Sequence, residues 1–295
     1  MSEAMAGASG RRRVSLPIVR ATLGEALGRK IVLSGWIASA VLVVLFGIAF
    51  FFLYPQMERS SRALVAQSVV LGGVLTILGL YVGSFLAAFL AIMLAAGSVS
   101  SEADSGVLQA VVVRPIPRWR WYVERWAGLV AMSVSYVVVM TLAILLVARL
   151  ISGYEPGSLL GLLALLAAQV TFLVTVGMLI SCRLSSVATG VVLVLYFGIA
   201  WLGGFIGWIG NLAQRPELST IGTVVSLLAP SDELWKAASS YAVPQGLPVL
   251  AGTDGPLGLP FLSTLEPSPW FIGWALLLTV GLLALGVRAF SRRDL

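Results

Sequence analysis

Val69-Val-Leu-Gly-Gly-Val-Leu-Thr-Ile-Leu-Gly-Leu-Tyr-Val-Gly-Ser-Phe-Leu-Ala-Ala-Phe-Leu-Ala-Ile-Met-Leu-Ala-Ala96 runs for 28 residues without a charge or a proline. About 20 apolar residues let a helix cross the hydrocarbon core of a bilayer, so this stretch crosses with tilt or overhang. Five more stretches are long enough: Ser34–Tyr54, Ala127–Leu150, Ser158–Ser181, Val187–Ile209 and Trp270–Phe290. All six are continuously apolar rather than alternating, which selects helices over barrel strands. The charges inside these limits are Arg149 and Arg288, each in a last turn where a long side chain snorkels to the headgroups. All thirteen prolines fall outside the six stretches.

Composition agrees with this reading. The 295 residues are 59% hydrophobic and 11% charged, with a mean hydropathy of +0.98. A soluble domain carries roughly a quarter of its residues as charges, so an ordinary soluble enzyme, a disordered chain and a nucleic-acid binder are all excluded. The chain has no histidine and a single cysteine, Cys182. No imidazole base, intramolecular disulfide or thiolate metal cluster can be built from it. The expected fold is all-α and polytopic, with six transmembrane helices and no catalytic, metal or cofactor-binding residues of its own.

The basic residues set orientation. Fourteen of them fall on the side that holds both termini and the loops after the second and fourth spans; five (Arg59, Arg62, Arg149, Arg215 and Lys236) fall on the other. Both termini are therefore expected in the cytoplasm. Residues Met1–Gly10 are small and polar and precede Arg11-Arg12-Arg13, which does not read as a cleaved signal peptide. Residues 1–30 form a cytoplasmic tail and lead-in helix, and 31–295 form one six-helix domain whose external loop is 210–269. In the lead-in, Leu16, Val19, Leu23 and Leu27 recur at helical spacing, with Arg20 elsewhere on the wheel. This pattern predicts an amphipathic interfacial helix.

Between the second and third spans, Ser101 followed by Asp104 makes an approximate capping box, and Arg114-Pro115 a helix end. A short helix is expected there. Its acidic start and apolar stripe suit either a groove on a cytosolic partner or a solvated connector. The loop 210–269 holds eight of the thirteen prolines. Within it, Ser231 as N-cap with Asp232 and Glu233 in the first turn predicts a short external helix, preceded by a second near Ile221–Leu228. The loop is read as a lid over an exit or a surface for an accessory protein.

In the fifth span, Gly203 and Gly207 form a Gly-x-x-x-Gly pair that allows close helix approach. They serve either packing within the subunit or a subunit seam. Tyr196, Trp201, Phe205 and Trp208 could then line an amphipathic path. The span residues Ser84, Thr141, Gln169, Thr171, Thr175 and Thr189 read as packing contacts. No carboxylate lies in a span, which argues against ion coupling and favours an apolar or amphipathic cargo. No Gly-x-x-x-x-Gly-Lys-Ser/Thr loop occurs, so nucleotide is not bound in the P-loop manner.

Six spans, the basic lead-in, Ser101-Glu102-x-x-x-Gly106-x-Leu108…Arg114-Pro115-x-x-Arg118, Pro230-Ser-Asp-x-x-Trp235 and the terminal Phe290-Ser-Arg-Arg-Asp-Leu295 together resemble the permease subunits of type-2 ATP-binding cassette exporters. The likeness covers nearly the whole chain and is strongest to the branch of the nitrous-oxide reductase maturation and multidrug permeases. Where such permeases often carry a lysine after the loop stretch, this chain has Glu124-Arg125. The resemblance implies a prokaryotic plasma-membrane subunit that forms a homodimer or related heterodimer among membrane lipids. Each copy would be seated on a cytosolic ATP-binding subunit that carries the ATP and Mg. It also implies that 101–113 is the coupling helix, with Glu102, Asp104, Gly106, Val107, Leu108, Gln109, Arg114 and Arg118 at the ATPase. A non-transporting membrane scaffold of the same shape, and an intramembrane enzyme, are the competing readings.

Overall fold

A computed structural model describes residues 22, 24, 30–60, 65–99, 117–243, 260–263 and 267–292. Eight helices occupy them: α1 Lys30–Ser60, α2 Val65–Ala96, α3 Arg118–Ser152, α4 Leu159–Ser181, α5 Ser186–Leu212, α6 Pro216–Leu228, α7 Ser231–Ala242 and α8 Pro269–Ser291. No strand occurs among the described residues. Six helices, α1 to α5 and α8, are long and apolar enough to cross a membrane. Of the expected interfacial helix over 16–30 only Thr22, Gly24 and Lys30 are described, all three helical, and the expected coupling helix over 101–113 lies outside the described residues.

The helix ends follow local chemistry. Ser158 and Ser185 cap α4 and α5, accepting from Gly161 N at 3.2 Å and Ala188 N at 3.4 Å. Gly153 ends α3 in the left-handed region at φ 68°, its N–H returning to the Arg149 carbonyl at 3.0 Å. Two helices overrun their apolar stretches. α1 continues past Tyr54 to Ser60, so Pro55 lies within the helix although it is outside the apolar span. α3 starts at Arg118, directly after Pro117, and its 35 residues extend about 52 Å at 1.5 Å per residue. Its first turns therefore carry Arg118, Arg120, Glu124 and Arg125 beyond the hydrocarbon core.

α2 is the central stave and packs against α1, α3, α4 and α5. Its Ala87, Ala88, Ala91 and Ala95 are fully buried; small side chains of this kind let helix backbones approach where lipid tails supply no hydrophobic drive. Polar pins supplement this packing. Trp126 Nε1 donates to Thr175 Oγ1 at 2.9 Å, joining α3 to α4. The Tyr136 hydroxyl of α3 reaches the Gly35 carbonyl of α1 at 3.3 Å and also bonds Ser39 Oγ. Ser84 and Thr171 bond carbonyls of their own helices, as expected of packing residues. On the lipid side, α1 exposes Leu33, Ile37, Val41, Val44 and Ile48, a near-continuous apolar face.

The segment between α5 and α8 departs from the sequence reading. It does not stay outside the spans: α6 turns at Gln214, a non-glycine residue at φ 52°, and runs back antiparallel along α5. The pairs Gly210 with Ser219, Gly207 with Gly222 and Gly203 with Val225 meet in order. After Ala229-Pro230 the chain reverses, and α7 climbs antiparallel along α4. Its first residue, Ser231, accepts from Gln169 Nε2 at 3.0 Å. At the other end the Tyr241 carbonyl accepts from Ser158 N at 3.0 Å, and the Ala242 carbonyl accepts from the Tyr154 hydroxyl. Burial raises the pKa of that Tyr154 phenol above its ordinary value, so the hydroxyl keeps its proton. Gln169 stands about 15 Å along α4 from Leu159 at 1.5 Å per residue. The hairpin therefore reaches the middle of the spans. With 13 and 12 residues, each arm is too short to register as a span.

The cap of α7 differs as well. Pro230 occupies the N-cap position and Ser231 is already helical. The Ser231 hydroxyl is buried without a hydrogen-bond partner, so it does not cap, because the chain arrives through a proline whose ring sets the entering backbone.

Candidate functional site

The expected coupling residues Glu102, Asp104, Gly106, Val107, Leu108, Gln109 and Arg114, and the lead-in residues Leu16, Val19, Arg20, Leu23 and Leu27, lie outside the described residues. Arg118 is described. It is the first residue of α3, and its guanidinium donates to the Ser291 carbonyl at the end of α8, 3.4 Å away. Beside it, Arg120 Nε donates to Glu124 Oε1 at 2.6 Å. Arg125 Nη1 reaches Thr22 Oγ1 at 3.3 Å, which ties this end of α3 to the lead-in. Glu124 and Arg125 are buried.

The α5 residues divide between two faces. Gly203 and Gly207 are used within the chain, against α6; a methyl group placed on Gly222 would come within 2.5 Å of the Gly207 Cα. Tyr196 donates to the Leu228 carbonyl at 2.7 Å, holding the last turn of α6. Trp201 Nε1 donates to the Tyr81 hydroxyl of α2 at 2.6 Å. Trp201, Phe205 and Trp208 form a ladder along α5, with successive centroids 6.1 Å and 5.6 Å apart.

A cavity of about 510 Å³ opens between α5, the hairpin and the start of α8. Gly203, Gly204 and Gly207 leave room on the α5 side, while Trp208 and Phe271 supply apolar walls. Ser219, Thr223 and Ser226 line it from α6, and Glu233 and Lys236 from α7. The charges form one cluster. Lys236 Nζ lies 2.8 Å from Asp232 Oδ2 and 3.8 Å from Glu233 Oε2, and donates to the Gly204 carbonyl at 3.3 Å. The Asp232 and Lys236 side chains keep 11% and 15% of their exposure, whereas Glu233 keeps 41%. A buried pair of this kind holds only because each charge faces its opposite and the ammonium also finds a carbonyl.

This arrangement corrects the expectation that no charge lies deep among the spans. The six apolar stretches of the sequence lack carboxylates, yet the hairpin carries Asp232, Glu233 and Lys236 in beside Gly204. A search for long apolar windows passes over them because α7 is short and polar on one face. The residual signal is local: Asp232 and Lys236 stand at i and i+4, the spacing of a helical ion pair. Trp235 of the same helix is the hairpin's anchor. It is buried, its centroid lies 5.3 Å from that of Tyr81, and its Nε1 donates to the Phe261 carbonyl at 2.7 Å. Among the described residues no group of His, Cys, Asp and Glu is arranged to hold a metal ion.

Two comparisons bear on this architecture. The family model described as ABC-2 family transporter protein matches residues 29–295, a range that takes in all six spans, the hairpin and the cavity. None of the curated proteins matches the chain.

Proposed function

The chain belongs to the ABC-2 transporter family, and on that premise we propose that this permease subunit is the membrane half of an exporter driven by a separate ATP-hydrolysing subunit. One observation carries the reading: the family match and six apolar helices coincide with a sequence that lacks any P-loop of its own. In this reading the chain supplies the conduit and a separate ATP-binding subunit supplies the energy. Two permease copies, identical or related, would enclose the path among membrane lipids. Both termini would face the cytoplasm of a prokaryote, in line with the arginine bias. The hairpin would then sit on the outer side, where a released substrate leaves and an accessory protein could dock. Its likeness in sequence supports the branch of the nitrous-oxide reductase maturation and multidrug permeases.

In this reading residues 101–113 form the coupling helix. Glu102, Asp104 and Gln109 make polar contacts in an ATPase groove, Val107 and Leu108 fill its apolar floor, and Arg114 and Arg118 flank it. Movement of that helix and of the lead-in around Leu16, Val19, Arg20, Leu23 and Leu27 would be passed to the spans. The Arg125–Thr22 contact supports this, because it joins the lead-in directly to α3. Affinity purification of the full chain is expected to retain an ATP-binding subunit. The double substitution Glu102→Arg and Leu108→Asp should release that subunit while leaving the permease folded in the membrane. Retention of the subunit with undiminished ATP-driven export would show the coupling assignment to be wrong.

A further inference from the structure

The hairpin cavity has a chemical polarity that the family match does not specify. Three of its hydroxyls lie on α6, and each spends its single proton inside its own helix. Ser219 donates to the Pro216 carbonyl at 3.0 Å, Thr223 to Ser219 at 3.0 Å and Ser226 to Thr223 at 2.9 Å. A hydroxyl has one donor and two lone pairs, so all three present acceptors to the cavity. Lys236 shows the same bias. Its ammonium has three donors; two go to Asp232 at 2.8 Å and the Gly204 carbonyl at 3.3 Å, while Glu233 Oε2 stands 3.8 Å away, an ion pair too long for a hydrogen bond. The charges of the cluster, among the described residues, are two carboxylates against one ammonium. The excess negative charge is carried on Glu233, the most exposed member. Asn211, Ser263 and Ser268 add neutral polar groups, and Trp208 and Phe271 add aromatic surface.

We propose that this cavity binds a cationic amphiphile, with Glu233 as counter-ion to an amine or similar donating head and the aromatic walls holding its apolar body. An acceptor-rich wall and a carboxylate that meets Lys236 only at 3.8 Å complement N–H donors carrying positive charge, and hydrogen bonds between charged partners are the strong ones. Indole and phenyl faces attract the same cation. An anionic head would meet the Glu233 carboxylate and the lone pairs of Ser219, Thr223 and Ser226, while Lys236 is held by Asp232 and the Gly204 carbonyl. The inference rests on the permease reading for its meaning as cargo selection, but the binding site stands on the cavity alone.

The test uses the full chain in phosphatidylcholine nanodiscs at neutral pH, with empty nanodiscs subtracted. Octylammonium, octanol and octanoate serve as three probes of equal chain length, titrated by calorimetry. Octylammonium should bind best, and Glu233→Gln should weaken it about tenfold, the loss expected for one charge-assisted hydrogen bond, with octanol unchanged. Thr223→Val, which removes an acceptor without touching the ion cluster, should weaken octylammonium by a smaller factor. Equal binding of octanoate overturns the proposal, as does a loss on Glu233→Gln that is the same for all three probes, or no loss. Assembly with the ATP-binding subunit is measured separately on each variant. Absent amine binding in a complex that still assembles and exports would remove this inference and leave the permease reading standing.

Discussion

The side-chain amide of Gln169, half-way along α4, donates to the main-chain carbonyl of Ser231, the first residue of α7, across 3.0 Å. That bond fixes how deep the hairpin reaches. Hydrogen bonds between membrane helices are worth about 0.6 kcal/mol on average and up to about 1.7 kcal/mol. Gln169→Leu should therefore lower stability by about 1 kcal/mol, read as an earlier midpoint when the full chain is unfolded from mixed micelles by dodecyl sulfate. An unchanged midpoint would mean that the tip is held by packing alone.

The two glycines that meet between α5 and α6 should not respond alike. A Cβ on Gly207 would come to 3.2 Å from the Gly222 Cα, a contact that small shifts relieve, whereas one on Gly222 would lie 2.5 Å from the Gly207 Cα. Overpacking costs about 1–3 kcal/mol. Gly222→Ala is expected near the upper end of that range and Gly207→Ala near or below the lower. Thermal unfolding of both variants in one detergent checks the order; equal losses would contradict the close backbone crossing.

The ion cluster predicts a second asymmetry. Asp232→Asn leaves Lys236 with Glu233, 3.8 Å away, and should cost about 1–2 kcal/mol. Lys236→Met strands both carboxylates, one of them buried, and should approach the 3–5 kcal/mol of a broken buried pair. Combining the two substitutions should recover part of the loss. A double-mutant cycle on unfolding midpoints reads the coupling, and strict additivity would mean that the two side chains do not interact.

Trp235 separates ring from hydrogen bond. Trp235→Phe keeps an aromatic ring beside Tyr81 but abandons the Phe261 carbonyl, for an expected loss of about 1 kcal/mol. Trp235→Ala removes the ring as well, and core aromatic truncations cost about 3–5 kcal/mol. Susceptibility of the segment around Phe261 to added protease should rise with the first variant and more with the second.

The spans were legible because each is a long uninterrupted apolar run, and length is what a bilayer demands. The caps at Gly153, Ser158 and Ser185 emerge only from the structure, since an apolar run alone does not mark them. The hairpin was half legible: helices near Ile221 and from Ser231 could be anticipated from their patterns, but their depth could not. Gly203 and Gly207 announced a close helix partner without saying that Gly222, a short distance along the same chain, supplies it. Asp232 read as a first-turn acid of an external helix and Lys236 as an outer-side cation, since spacing carries no information about what surrounds a helix. Glu124 and Arg125 were visible as charges near a span, while their burial depends on α3 beginning at Arg118 and on the lead-in reaching it through Thr22.

The shortness of α6 and α7 bears on how the molecule is assembled. With 13 and 12 residues, neither arm is long enough to cross a bilayer by itself. Each is held by what lies beside it, Gln169 of α4 and the glycine face of α5. A lesion in the hairpin should therefore leave a chain that crosses the membrane the correct number of times yet fails to close laterally.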